Sequence, residues 1–355
     1  MNFSFYMPTK VLVGSLTEFS DLIKGFGVKP CVVCGKSSAK LCGALADIKE
    51  IFGDIAVFNK IEPNPTITSV KDGAEFAKEN NADFIIGVGG GSPLDAAKMI
   101  AVLAEEDISF DDLSNAKRLP LLLIPTTIGT GSEVTKYSIL TDEKSHSKIN
   151  IASDLLFPDI AVLDAKYCRG LPVSVARNTA LDALSHVIEG MLSKKASPIS
   201  DMFAAEAIRI ISSKFSSLIE GKITDTDYEN LLFASNLSGF VIAQTGTCAV
   251  HACGYALTSE KNIDHGRANA LLLCDVIRRF PHENTDKIFK IMHLSYIEFS
   301  LIVNTIIGEK EQITKEEIEN FTKKSMLAKN ISNGIWAPTE DEVREIYANS
   351  LEVVS

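Results

Sequence analysis

Ala82-Asp83-Phe84-Ile85-Ile86-Gly87-Val88-Gly89-Gly90-Gly91-Ser92-Pro93-Leu94-Asp95-Ala96-Ala97-Lys98 is the stretch that decides how this chain is read. Ala82 to Val88 reads as a buried strand, and a helix is expected from Pro93 to about Glu105. Three glycines separate them, more than a plain tight turn requires. Ser92 is expected to cap the helix, with Pro93 at its first position and Asp95 where a capping-box acid would stand. Glycines admit close backbone approach, and free N–H groups at a helix N-terminus favour an anion. A dinucleotide pyrophosphate is the natural guest. The usual G-x-G-x-x-G pattern is not met, because Ser92 stands where its third glycine would. Lys98 is free to face solvent on the helix and carries no role in this reading.

Outward from this core, Pro30–Cys34, Ile55–Phe58, Leu121–Pro125 and Asp159–Leu163 read as strands, and Thr68–Asn80 as a helix. Strands alternating with helices predict a parallel sheet with helices on both faces. From about Ser174 the pattern becomes helical, through Ala176–Lys194, Ser200–Leu218 and Asp227–Gln244, and the charged Glu309–Lys323 stretch reads as solvated helix surface. Arg169-Gly170 and Pro172 mark a boundary. The expectation is an α/β dinucleotide-binding domain over residues 1–172 and an all-helical metal and substrate domain over residues 173–355.

Composition narrows the function classes. Hydrophobic residues at 46% and charged residues at 23% suit a globular protein rather than a disordered one. A formal net charge of -11 repels nucleic-acid backbones. The 7 cysteines, an odd number, suit reduced thiols rather than a disulfide framework. Cys31 and Cys34 form a C-x-x-C, but no second pair follows to complete a zinc site, and both fit a buried strand. The N-terminus lacks a signal-peptide pattern, and no apolar run reaches the roughly 20 residues that span a bilayer. A cytoplasmic protein with no membrane partner is expected.

Two further constellations carry chemistry. Pro125-Thr126-Thr127-Ile128-Gly129-Thr130-Gly131-Ser132-Glu133-Val134-Thr135 follows a strand, and its hydroxyls and glycines suit a second wall for ribose and phosphate. Asp182 and His186, spaced i, i+4, share one helix face. Alone, such a pair is more often helix surface than a metal site. His251 and His265 shift that balance: three imidazoles and one carboxylate suit Fe(2+) or Zn(2+). Such an ion is a Lewis acid that eases removal of a proton and then a hydride from an alcohol. His146, His282 and His293 lack comparable context and read as structural or exposed.

Glu62-Pro63-Asn64-Pro65-Thr66, Gly89-Gly90-Gly91-Ser92-x-x-Asp95-x-x-Lys98, the Pro125–Glu133 turn, Asp182-x-x-x-His186, and His251 with His265-Gly266 fall in one order along the chain. In that order the sequence resembles the iron-containing alcohol dehydrogenases over nearly its whole length. The resemblance implies a dehydroquinate synthase-like fold and metal ligation by Asp182, His186, His251 and His265, with catalysis through that metal. It implies that Gly90, Gly91, Ser92 and Asp95 hold the pyrophosphate region, and that Thr126, Thr127, Thr130, Thr135 and Lys148 complete the cofactor wall, with Asn64 near the adenosine. It also implies a homodimer or larger assembly and an alcohol or aldehyde substrate.

Two departures stand out. Several NAD-specific members carry an acid after the first strand; here Gly35, Lys36, Ser37 and Ser38 offer no carboxylate, so NADP(H) is expected over NAD(H). Some members place a histidine four residues after the third ligand; here Tyr255 stands there, which does not titrate near neutrality, so solvent or a cofactor ribose hydroxyl would carry the proton. The leading expectation is interconversion of a primary alcohol and its aldehyde. The alternatives are a zinc-dependent polyol dehydrogenase of the glycerol type, a dehydroquinate synthase-like lyase with only Lys261 and Arg267 as basic support, and a non-catalytic nucleotide-binding module.

Overall fold

The computed structural model describes residues 2–110, 112–144 and 147–354; His146 lies outside them. The chain forms two compact units. An α/β unit comprises Met7–Thr127 and Gly131–Leu171, and a helical unit comprises the N-terminal residues through Tyr6, Ile128–Thr130 and Pro172–Ser355.

In the α/β unit six strands pair in parallel: β1 (Lys10–Val13), β2 (Pro30–Gly35), β3 (Ala56–Ile61), β4 (Phe84–Gly89), β5 (Leu121–Pro125) and β8 (Ile160–Leu163), in the order β1-β8-β5-β4-β2-β3. The predicted parallel sheet is thus present. β5 and β4 sit at its centre with β2 beside β4, and the apolar runs of β2 and β4 are buried on both faces, as a sheet covered by helices on each side requires. Phe84, Ile85, Ile86 and Val88 are each buried, contributing about 1.5–3 kcal/mol apiece. On one face Cys31, Val33 and Ile85 pack with residues of the Ile67–Glu79 and Gly91–Glu105 helices. On the other, Val32, Cys34, Phe84 and Ile86 pack with the Ala44–Phe52 helix and Tyr167. Cys31 and Cys34 therefore point to opposite faces of the sheet. Burial raises both thiols, to about 12 and about 11, so neither is a reactive thiolate.

The expected one-strand-one-helix rhythm misses two pieces of this unit. β1 is a four-residue edge strand, too short to announce itself. A hairpin of β6 (Tyr137–Asp142) and β7 (Ser147–Ala152) adds an antiparallel pair, with Thr141 opposite Lys148.

The helical unit contains the Val173–Met191, Asp225–Thr245, Ala249–Lys261 and His265–Ile277 helices among others. Here two expectations need correction. The single helix expected over Ser200–Leu218 is two, Pro198–Ser212 and Phe215–Glu220. The first starts two residues early because Ser197 and Ser200 form a reciprocal capping box with Pro198 at the first position. It ends where the hydroxyls of Ser212 and Ser213 bond back to the carbonyls of Arg209 and Ile210, competing with helix continuation. The Glu309–Lys323 stretch is not all helix: β9 (Gln312–Thr314) precedes the Lys315–Leu327 helix and pairs in parallel with β10 (Glu352–Val354). Among the described residues no helix is long and apolar enough to cross a membrane.

Candidate active site

The Val173–Met191 helix brings Asp182, His186 and Glu189 to one face by their i, i+4, i+7 spacing. All three are buried. His251, near the start of the Ala249–Lys261 helix, meets them. Ligand atoms of Asp182, His186 and His251 all lie within 4.8 Å of one another, which makes this trio a site for a metal ion. Its rings are ordered around the same space: His186 and His251 stack at 4.5 Å between centroids.

Each imidazole is aimed by a second contact. His251 Nδ1 lies 2.6 Å from Glu189 Oε2, while Glu189 Oε1 accepts the Val250 N–H at 2.6 Å. One carboxylate therefore fixes both the ring and the backbone that carries it. With Nδ1 so engaged, His251 Nε2 turns inward; it is buried without a hydrogen bond, 3.6 Å from Asp182 Oδ1. His186 Nδ1 lies 3.3 Å from the Gly129 carbonyl, leaving its other nitrogen for a ligand. A buried nitrogen with no partner, facing a buried carboxylate, is the arrangement that a cation completes.

Electrostatics agrees with that reading. Burial alone would raise the Asp182 carboxyl, but His186, His265 and His251 together outweigh it and hold the group well below the usual carboxylate range. Burial lowers His186 to about 4, so this ring is neutral at pH 7. Burial also works against a charged His251, yet Glu189 and then Asp182 dominate and raise it to about 9. A metal ion binds the neutral ring, so binding at His251 competes with that proton.

His265 opens the His265–Ile277 helix at the margin of the trio. Its Nε2 is 4.0 Å from Asp182 Oδ1, and its side chain is 33% exposed. The Asn269 carboxamide donates to Asp182 Oδ1 at 2.8 Å and lies 3.2 Å from His265 Nε2. Gly266 lets this helix start so close to its neighbour, since a Cβ there would stand 2.4 Å from the Asn178 carbonyl. Tyr255 lies nearly parallel to the His265 ring, with centroids 5.7 Å apart. His282 and His293 are exposed, away from this cluster.

The sequence reading missed Glu189 and Asn269. Glu189 could have been found, because it continues the Asp182 and His186 face by three residues. Asn269 carried no comparable signal.

The residues expected to hold a cofactor gather mostly in the α/β unit. β2 and β4 are parallel neighbours whose next strands, β3 and β5, lie on opposite sides of the pair, and ligands of such sheets bind outside the carboxyl ends of strands at that switch. Gly35 ends β2, with Ser37 and Ser38 after it; Gly89 ends β4, with Gly90, Gly91 and Ser92 after it. Gly89 has φ +150, a conformation that excludes other side chains. The capping expectation fails here. The helix begins at Gly91 with Gly90 as N-cap and no side-chain cap, so Ser92 and Pro93 lie inside its first turn. The permissive glycine backbone starts the helix earlier, and proline is tolerated there because first-turn N–H groups have no helical partner. Ser92 Oγ instead accepts the Asn64 N–H at 3.2 Å, and Asn64 sits in the left-handed region at φ 60. The Asn64 carbonyl accepts from Thr141 Oγ1 at 3.3 Å, next to Lys148 across the hairpin. Burial lowers Lys148 to about 8, partly opposed by Asp95.

The Thr126 N–H donates to the Gly89 carbonyl at 2.9 Å, and Thr127 packs against Gly90, which places those threonines beside the glycine turn. Thr127 Oγ1 is buried without a hydrogen bond among the described residues. Thr130 belongs to the helical unit. Asp95 and Thr135 are engaged inside the protein: Asp95 accepts from Ser132 Oγ and from the Ile139 N–H, and Thr135 Oγ1 accepts from Lys98. Lys98 is not solvent-facing as expected. It is fully buried, because the helix face it occupies packs against β6 and the Ser132–Val134 turn.

Replacing Glu189 with Gln tests the orienting contact, since an amide cannot accept both the His251 and Val250 N–H groups. Metal affinity of Glu189→Gln is expected to fall about 10–100-fold with the fold retained, measured by chelator competition and circular dichroism. Unchanged affinity would refute the role given to this carboxylate.

Comparison with known proteins adds an independent line. Residues 8–165 match the family described as iron-containing alcohol dehydrogenase, and residues 176–300 match the C-terminal domain of the Fe-containing alcohol dehydrogenase family. An iron-containing alcohol dehydrogenase from Thermotoga maritima superposes with a TM-score of 0.90 at 38% identity, covering 99% of each chain. Sulfoacetaldehyde reductase from Bifidobacterium kashiwanohense, solved in complex with NAD+, gives a TM-score of 0.89 at 28% identity over 98% of each chain. NADPH-dependent butanol dehydrogenase of Clostridium saccharobutylicum is 30% identical over 88% of this chain and 84% of its own. Metal trio, glycine turn and these matches converge: the chain belongs to the iron-containing alcohol dehydrogenase family.

Proposed function

We propose that this enzyme interconverts a primary alcohol and its aldehyde at a divalent metal, Fe(2+) or Zn(2+), held by Asp182, His186, His251 and His265, with NADP(H) preferred. The observation that carries the reading is the buried trio of Asp182, His186 and His251 with its unpartnered His251 Nε2. His265 supports it as the fourth ligand: it adjoins Asp182 and is the most exposed of the four, on the side from which a substrate could arrive.

When bound, the metal supplies Lewis-acid polarisation of the substrate oxygen and the nicotinamide supplies the hydride exchange. The chain's own residues prepare that chemistry. Asp182 brings negative charge to a buried site, Glu189 and the Gly129 carbonyl orient His251 and His186, and Tyr255 stacks against His265. Tyr255, stacked on the His265 ring, is placed to orient it. The glycine turn at Gly89–Gly91 and the Asn64, Ser92 and Thr127 groups receive the dinucleotide. The lyase alternative loses its support, because Lys261 and Arg267 are paired with Glu317 and Glu311, each at 2.7 Å.

Two experiments test this reading. Protein purified anaerobically is expected to carry about one divalent metal per chain and to turn over primary alcohols, while His265→Ala loses most of both and keeps a folded α/β unit that still binds dinucleotide. A His265→Ala enzyme with full metal and activity would sink the ligand assignment.

Cofactor preference follows from the residues after β2. Lys36, Ser37 and Ser38 are exposed, and no carboxylate in that segment would repel a 2′-phosphate. kcat/KM for NADP(H) is expected to exceed that for NAD(H) at least about tenfold, equivalent to about 1.4 kcal/mol. Equal values or an NAD(H) preference would refute it.

A further inference from the structure

Lys98 has no exposed surface, an unusual position for an ammonium group. Its Nζ donates to Ser132 Oγ at 2.8 Å, Thr135 Oγ1 at 3.1 Å and the Tyr137 carbonyl at 2.7 Å, with Asp95 Oδ1 at 3.4 Å. An ammonium has three N–H groups, and the three shorter contacts use them all. No donor remains for a ligand. Lys98 therefore does not bind phosphate, although it lies two turns into the helix that the glycine turn begins.

Its partners explain what it does instead. Ser132 and Thr135 lie on the chain between the Thr126–Thr127 pair and β6, and Tyr137 opens β6, whereas Lys98 and Asp95 sit one turn apart on the glycine-turn helix. Asp95 reinforces the same junction: Ser132 Oγ donates to its Oδ1 at 2.5 Å, the Ile139 N–H to its Oδ2 at 3.0 Å, and Ser138 Oγ to its carbonyl at 2.8 Å. Burial works against the cationic form of Lys98 and lowers its pKa, partly opposed by Asp95 and Glu133. Burying an ion pair is a poor route to stability when an apolar side chain could fill the volume, so directional bonding is the better account of its presence.

Building on the cofactor reading above, we propose that Lys98 is a positioning residue for the dinucleotide. It pins the segment 132–137 to the glycine-turn helix and so fixes the spacing between the two turns, without touching the cofactor.

The test uses the full-length, metal-loaded enzyme and Lys98→Met, which keeps the volume and removes the three donors. NADPH dissociation constants come from fluorescence titration, and cofactor KM, kcat and metal content are measured alongside. The expected result is a rise of at least about tenfold in both Kd and KM for NADPH, kcat at saturating NADPH within about threefold of the parent, and unchanged metal content. Unchanged Kd and KM, or a loss confined to kcat, would overturn the proposal. If Lys98→Met does not fold, Ser132→Ala decides by the same readouts: a rise of about threefold or more in Kd supports it and an unaltered Kd overturns it. A parent enzyme that binds no dinucleotide at all would instead overturn the cofactor reading, and this inference with it.

Discussion

Glu189 grips two donors on one neighbouring helix, the His251 ring and the Val250 backbone, and the metal site depends on that grip. An imidazole on a helix has two rotatable bonds and can present either nitrogen. Locking Nδ1 to a carboxylate removes both freedoms and leaves Nε2 directed at Asp182. Without it, a buried carboxylate and a buried N–H would each lose a partner, at about 1–3 kcal/mol per group. His186 is held by a weaker version of the same device, a backbone carbonyl at 3.3 Å. Between these anchors the ligand atoms of Asp182, His186 and His251 lie close enough together to share one cation.

On the proposed function, the α/β unit handles the opposite charge by different means. A dinucleotide is anionic and the chain is acidic, with a net charge of -11, so attraction has to be local. Sheet topology supplies the place, at the switch between β2 and β4. Gly89 supplies the backbone, in a conformation that only glycine adopts readily. Free N–H groups at the start of the Gly91–Glu105 helix supply the partial positive charge. Lys148, with its cationic form weakened by burial, stands on the hairpin beside Asn64 and Thr141.

Much of this was legible in sequence, for identifiable reasons. Parallel strands announce themselves as short apolar runs, and Phe84 to Val88 or Leu121 to Pro125 could hardly be anything else. Asp182 and His186 were legible because helical spacing turns sequence separation into shared direction. What stayed hidden depends on contacts between distant segments. The burial of Lys98 needs Tyr137 and Ser132 from 34 or more residues away. Asn269 reaches Asp182 across 87 residues. Ser92 was misread as a cap because the flanking Gly90 could take the N-cap conformation itself, a choice that local pattern does not reveal.

Lys98 and the metal trio show why buried charge serves two different ends in one chain. In the trio the polar groups are incompletely satisfied: His251 Nε2 has no hydrogen bond, so the site retains affinity for something outside the protein. Around Lys98 all three donors are used, so the same kind of cost yields geometry and no affinity. A buried charge with its donors satisfied marks a place where the scaffold is held to one arrangement. By that criterion Asp95 belongs with Lys98: both its carboxylate oxygens accept bonds from within the α/β unit, which tie the glycine-turn helix to Ser132 and Ile139.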